Sequence, residues 1–197
     1  ADQYGWDWYK FHGSLDALKW NRRDLPVLES VVALTPGRTA VVQAGGNLGI
    51  FPKYLARSFE TVYTFEPDPE NFKKLCANVP ELNVIKIQAA LGAESGLVGT
   101  SHIRRDGKPN NHEGITHIAG LGVLPVFKID QLALPVCDLL YLDVEGYEFL
   151  ALQGATATLR HCRPVLSVEI NKNAGFMGIS KDQIRGRYVN EVHDGFD

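Results

Sequence analysis

The chain has 197 residues, 45% hydrophobic and 22% charged, which is ordinary globular usage and enough length for one well-filled core. A formal charge of −3 and a pI near 6.1 give no global reason to expect a polyanionic partner. No apolar run approaches the roughly 20 residues that span a bilayer, and Cys76, Cys137 and Cys162 are odd in number with no C-x-x-C spacing, which argues against a disulfide framework or zinc knuckle.

Residues 1–197 therefore read as a single soluble, cytoplasmic domain without membrane contact, opening on a helical and aromatic cap over 1–38. The stretch "YGWDWYKFHG" gathers Tyr4, Trp6, Trp8, Tyr9 and Phe11, rings that either close over a core or stack on a ligand at a site mouth. Over 14–34 apolar residues recur at helical spacing, and Pro26 predicts a break into two short helices. A turn at Thr35-Pro36-Gly37 leads to a buried strand over 39–44, then a helix over 52–58, a strand over 61–65, a helix over 69–78 capped by Asp68, and a strand over 84–89. A polar, glycine-rich insertion follows over 92–122, long enough to need a use. An extended segment over 123–129, strands over 137–143 and 164–170, and a helix between them over 147–159 complete the pattern.

Strand and helix alternate and the strands are apolar almost throughout, as expected when helices cover both faces of a parallel sheet. The predicted fold is α/β, doubly wound and Rossmann-like. Ligands of such sheets bind beyond the carboxyl ends of the strands, where the strand order reverses. Four strand ends carry informative residues.

The first is Gly45-Gly46-Asn47-Leu48-Gly49, a tight strand-to-helix turn whose N–H groups are candidates to hold an anion or a carboxylate. The second is Glu66, 17 residues beyond Gly49, the reach at which an acid takes both hydroxyls of a ribose. Together they describe an adenosyl pocket. The G-x-G-x-x-G of a nicotinamide site is missing, which favours a nucleoside with an amino-acid tail over a pyrophosphate. The third end, Asp143-Val144-Glu145-Gly146-Tyr147-Glu148, places three carboxylates within six residues. Clustered acids raise one another's pKa, so one of them is a candidate general base or cation ligand. Glu148 reads as structural, Asp143 and Glu145 as facing the ligand. The fourth end, Glu169-Ile170-Asn171-Lys172, brings further charge to the same edge.

These residues resemble the FkbM-type S-adenosylmethionine-dependent methyltransferases from about residue 41 to 171. "GGNLG" matches the G-x-N-x-G turn of that family, "FEPDP" its acidic second strand end, and "LDVEGYEFLALQG" its D-x-E-G-x-E segment. The residue two before the first turn glycine is usually acidic in such enzymes and is Gln43 here. The resemblance implies the class I methyltransferase fold, with S-adenosylmethionine as cofactor and S-adenosylhomocysteine as product. It further implies that Gly45, Asn47 and Gly49, with Gln43 and Gly46 in the same turn, surround the methionine part. Glu66 and Pro67 would hold the ribose, Ala89 or Ala90 would lie against the adenine, and Asp143 and Glu145 would sit near the methyl group. A carbohydrate or secondary-metabolite hydroxyl is the implied acceptor.

Transfer to a hydroxyl needs an aligned oxygen and an acceptor for its proton. Asp143 and Glu145 are the candidate bases, with Lys172 as an electrostatic helper and His102 of the insertion as a competing base. A divalent cation held by the carboxylates is the alternative way to lower the hydroxyl pKa. Two other functions stay open: methylation of an RNA ribose, with Arg104, Arg105 and Lys108 on phosphates, and a module that binds the nucleoside without turnover. "HEGITH" fails as a zinc helix, because His112 and His117 lie five apart with Gly114 between them, and His193-Asp194 lacks a nucleophile motif. After Asn171 only enough chain remains for a short helix and one strand, over 188–193, so the usual C-terminal hairpin of the fold reads as abbreviated.

Overall fold

Strands that are apolar on both sides have to be covered on both sides. The computed structural model, which describes residues 6–7, 10–101, 117–118 and 122–169, shows how this is done. In chain order the elements are α1 (Leu15–Leu34), β1 (Ala40–Ala44), α2 (Ile50–Leu55), β2 (Thr61–Phe65), α3 (Pro69–Asn78), β3 (Val84–Ile87), β4 (Ala90–Leu91), β5 (Gly96–Val98), β6 (Thr100–Ser101), β7 (His117–Ile118), β8 (Leu124–Phe127), a 3-10 turn (Ile129–Leu132), β9 (Leu139–Leu142), α4 (Glu148–Gln153), α5 (Thr156–Cys162) and β10 (Val165–Val168).

Five of these strands form one all-parallel sheet in the order β10-β9-β1-β2-β3. The chain winds outward from β1 through β2 to β3, then returns to the other side of β1 for β9 and β10. The order therefore reverses between β1 and β9. Successive residues feed opposite cores: Val41, Val62, Leu139 and Tyr141 pack with Leu25, Leu28, Ile50, Phe51 and Leu55 from α1 and α2. Val42, Ala44, Phe65, Leu140 and Leu142 pack with Phe149, Leu152 and Leu159 from α4 and α5. The doubly wound α/β architecture is as predicted.

Two helix expectations are corrected. Pro26 lies inside α1 without dividing it. An interior proline costs about 3 kcal/mol, whereas a fully buried Leu contributes about 1.5–3 kcal/mol, and Leu25 and Leu28, both fully buried, share one face with Leu18 and Val32. Burial wins. At the C-terminal end of α1 the Arg38 guanidinium donates at 2.6 Å to the Val32 carbonyl, one of those a helix end leaves open, and to the carbonyls of Thr35 and Gly37 just beyond it. The helix predicted over 147–159 is two, α4 and α5. The Gly154 carbonyl between them accepts from Asp130 N–H at 2.9 Å, and a Cβ on Gly154 would lie 2.1 Å from the Gly92 carbonyl oxygen. The Asp130 carboxylate then starts α5, accepting from Ala157 N–H, Thr158 N–H and the Thr158 hydroxyl.

The predicted strand over 84–89 ends at Ile87, and the predicted extended segment over 123–129 contains β8. In a second, three-stranded sheet β8 runs parallel to β4 and antiparallel to β5, so the start of the insertion is structured. Of the opening aromatics, Trp6 is buried in the core on the α1 side, with the Phe11 ring 5.9 Å away; Tyr4, Trp8 and Tyr9 lie outside the described residues. The expected C-terminal helix and strand also lie outside them. Among the described residues no helix is long and apolar enough to cross a membrane.

Candidate active site

The turn after β1 is built by its neighbours. Gly45 adopts φ +82°, and a Cβ there would lie 1.9 Å from the Asp143 carbonyl oxygen, so only glycine lets the ends of β1 and β9 approach this closely. Gly49 starts α2 at φ +88°, with α3 against it: a Cβ would meet Val79 at 2.5 Å. Four of the turn's five N–H groups are engaged. Those of Gly45 and Gly46 donate to the Phe65 carbonyl at 3.1 and 2.8 Å, that of Gly49 donates to Gly46, and that of Asn47 donates to Glu66 Oε2 at 2.7 Å. The expectation that these N–H groups are open to an anion is corrected, because β2 and Glu66 already use them. The glycines serve the approach of β9 and α3 to the turn, and Gly45 alone of them lines the cleft beyond it.

That cleft has a cavity volume of about 40 Å³ and opens to solvent. It lies at the carboxyl ends of β1, β2 and β9, where the strand order reverses. Of the predicted site residues, Gly45, Glu66, Pro67, Ala89, Ala90, Asp143 and Glu145 line it together. Gln43, Gly46, Asn47 and Gly49 stand outside its lining: Gln43 is fully buried behind the turn, and Gly46 packs on Leu75 and Thr64. His102 and Lys172 lie outside the described residues, as do Arg104, Arg105 and Lys108. Phe65, Leu91, Val144 and Tyr147 also line the cleft and were not foreseen as site residues. Tyr147 sits inside the D-x-E-G-x-E segment, which was a usable signal. Leu91 belongs to a two-residue strand with no periodicity to read.

Glu66 is buried, and its carboxylate spans two backbone donors, Asn47 N–H on Oε2 and Asp68 N–H on Oε1 at 2.9 Å. Burial outweighs these bonds and lifts its pKa to about 7. Its neighbour Asp68 accepts from Glu70 N–H and Asn71 N–H, capping α3 as expected. Asn47 Oδ1 is buried with no hydrogen-bond partner among the described residues.

On the β9 side, Asp143, Glu145 and Glu169 each place a carboxylate oxygen within 4.8 Å of the other two, close enough to share a cation. Like charges this close cannot all ionise easily. Asp143 is pushed up to about 9, first by burial, then by the charge of Glu169 and a hydrogen bond with it, then by Glu145 and Glu148. At neutral pH Asp143 thus keeps its proton, and a positive charge entering the cleft would draw it off. Glu145 sits at φ +54° and Gly146 at +103°. This turn is tied down by Glu148, whose Oε1 accepts from Val144 N–H at 3.0 Å and Gly146 N–H at 3.1 Å. Glu148 is therefore structural, as its sequence position suggested.

The sequence profile of the methyltransferase FkbM domain matches residues 44–193. The chain belongs to this family. Among relatives, the FkbM domain here is 30% identical over 151 residues to "Methyltransferase 1" of Beauveria bassiana (strain ARSEF 2860), covering 62% of this chain and 61% of that one. The crystal structure of methyltransferase FkbM from Methylobacillus flagellatus KT shares its fold at a TM-score of 0.53 and 16% identity, covering 79% of this chain and 37% of that one. The chain thus spans about three fifths of the fungal relative and less than two fifths of the bacterial one. The parallel five-stranded sheet is that of the class I methyltransferase fold.

Proposed function

We propose that the chain is an S-adenosylmethionine-dependent O-methyltransferase acting on a hydroxyl of a carbohydrate or small secondary metabolite. The observation that carries this reading is a single cleft with Glu66 from β2 on one wall and Asp143 and Glu145 from β9 on the other, astride the strand reversal. The residues fit the cofactor. Ala89 and Ala90 offer an apolar floor and Glu66 has one carboxylate to present to a pair of hydroxyls, while Asn47 Oδ1, an orphaned acceptor among the described residues, lies in the turn behind the lining.

In this reading Glu66, with Pro67 beside it, holds the ribose, Ala89 and Ala90 take the adenine face, and Gly45 and Asn47 border the amino-acid tail. When bound, S-adenosylmethionine supplies an electrophilic methyl on a sulfonium. Asp143 or Glu145 then accepts the proton that the acceptor hydroxyl must lose as it attacks, and the cofactor's positive charge favours the ionised form of that base. Lys172 as an electrostatic helper and His102 as a competing base are part of the same proposal. A second reading rests on the mutual spacing of Asp143, Glu145 and Glu169: a divalent cation held there lowers the hydroxyl pKa directly.

Labelled S-adenosylmethionine, offered with a panel of sugars, phenolic and aliphatic alcohols and RNA, tests the proposal, with and without a chelator. Label on a small hydroxyl acceptor supports the first reading, and loss of transfer with chelator the second. Label on RNA with steep salt dependence, or cofactor binding without transfer to any acceptor, would each replace it with the corresponding alternative.

A further inference from the structure

Gln43 and Thr64 are both fully buried beneath the turn that follows β1. The Gln43 amide nitrogen donates to two turn carbonyls, Ala44 O at 3.0 Å and Gly45 O at 2.9 Å, while its oxygen accepts from the Thr64 hydroxyl. The orientation is forced. Backbone carbonyls cannot donate, so the NH2 end must face them and the C=O end must face the one hydroxyl. Gly45, whose carbonyl is held in this way, is also the turn residue that lines the cleft and touches the end of β9.

We infer that Gln43 is a positioning residue which acts as a double donor, fixing the Gly45 peptide from behind and so shaping the part of the cleft that borders the ligand's amino-acid tail. The inference rests on the cofactor reading above for that last clause, but the clamp itself does not. It makes a prediction opposite in sign to simple charge matching. A cationic ligand group near the turn would be helped by an acid at position 43. Here, a carboxylate at 43 would set an acceptor against two carbonyl oxygens in a buried place, where it either repels them or takes up a proton and regains one donor of the two. Charge complementarity and turn geometry therefore disagree about Gln43→Glu, and geometry decides.

The test is calorimetry of the parent, Gln43→Glu, Thr64→Val and Thr64→Ser with S-adenosylhomocysteine and with 5′-methylthioadenosine, which lacks the amino-acid tail. Amide hydrogen exchange of the unliganded proteins is measured alongside. Two hydrogen bonds lost at the turn correspond to a drop of about tenfold or more in homocysteine-adduct affinity for Gln43→Glu. Methylthioadenosine affinity is expected to change less than about threefold, a split that general destabilisation does not produce. Thr64→Val shows the same split at smaller size and Thr64→Ser restores the parent. Exchange at Gly45, Gly46 and Asn47 accelerates by about tenfold in Gln43→Glu while α5 stays protected. Equal or tighter homocysteine-adduct binding by Gln43→Glu, or unchanged turn protection in Gln43→Glu and Thr64→Val, overturns the inference. If the parent binds neither nucleoside, the cofactor reading fails, and the exchange data alone decide the clamp.

Discussion

Replacing Glu148 by Ala tests how the turn that carries Asp143 and Glu145 is held. The carboxylate oxygen accepts from Val144 N–H and Gly146 N–H, and the turn it closes contains two consecutive left-handed residues, one of them non-glycine. Losing the acceptor leaves the buried Gly146 donor unpaired, at about 2 kcal/mol. It leaves the half-buried Val144 donor partly hydrated, at about 1 kcal/mol. Against this, burial raises the Glu148 pKa, so the mutation also releases a desolvated charge and the net loss lies below that sum. The net loss is about 2 kcal/mol, and for a domain of this length that lowers Tm by about 4–8 °C. Glu148→Gln keeps an oxygen where both N–H groups point and drops the charge, so it should stay within about 1 kcal/mol of the parent. Urea and thermal unfolding of the three proteins measure the series. An alanine variant as stable as the parent, or a glutamine variant as damaged as the alanine one, would refute the clamp.

Other outcomes follow from individual contacts. Asp143 is protonated in the folded protein up to about pH 9 but ionises near its ordinary 3.8 when unfolded. The folded state therefore holds the extra proton between these values, and the Asp143 contribution to stability falls as pH rises through that window. Asp143→Asn should be the more stable protein above about pH 4, by a margin that widens up to about pH 9, while losing transfer activity; a constant margin in pH-dependent unfolding contradicts the shift. Asn78, the buried last residue of α3, accepts from His12 N–H and donates to the carbonyls of His12 and Leu48. Asn78→Ala should cost about 2–4 kcal/mol in urea unfolding, and a loss under about 0.5 kcal/mol would show that the N-terminal segment is held by its rings alone. Asp130→Ala should cost about 1 kcal/mol through the lost α5 cap, with Asp130→Asn recovering most of it, again by urea unfolding; no difference between the two variants removes the cap from the account.

Elements marked by local chemistry were legible in the sequence. β2 and α3 fall where they were predicted, because Asp68 and Pro69 announce the helix and an apolar run of β-formers announces the strand. What failed depended on distant partners. Pro26 marks a break that the buried face of α1 overrides, and nothing in 147–159 says that Gly154 meets Gly92 and Asp130. The site was legible to the extent that it is made of strand ends: Gly45, Glu66, Pro67, Ala89, Ala90, Asp143 and Glu145 converge because parallel strands deliver their carboxyl ends to one edge. The roles within the turn were not. Whether an N–H is free or an amide faces the ligand depends on cross-strand neighbours such as Phe65, Thr64 and Glu66, which spacing does not reveal. Glu169 was legible as charge at the same edge, but its grouping with Asp143 and Glu145 follows from β10 lying beside β9.

The central claim is that Glu66 and the turn after β1 clasp an adenosyl ligand that carries an amino-acid tail. Calorimetry of the parent and of Glu66→Ala with S-adenosylhomocysteine, set against NAD, tests it most directly. The account predicts saturable binding of the homocysteine adduct, none of NAD, and at least about tenfold weaker binding by the variant, the loss expected for two ribose hydrogen bonds to a buried carboxylate. No heat with the homocysteine adduct at millimolar concentration, or equal affinity in the parent and Glu66→Ala, would contradict it.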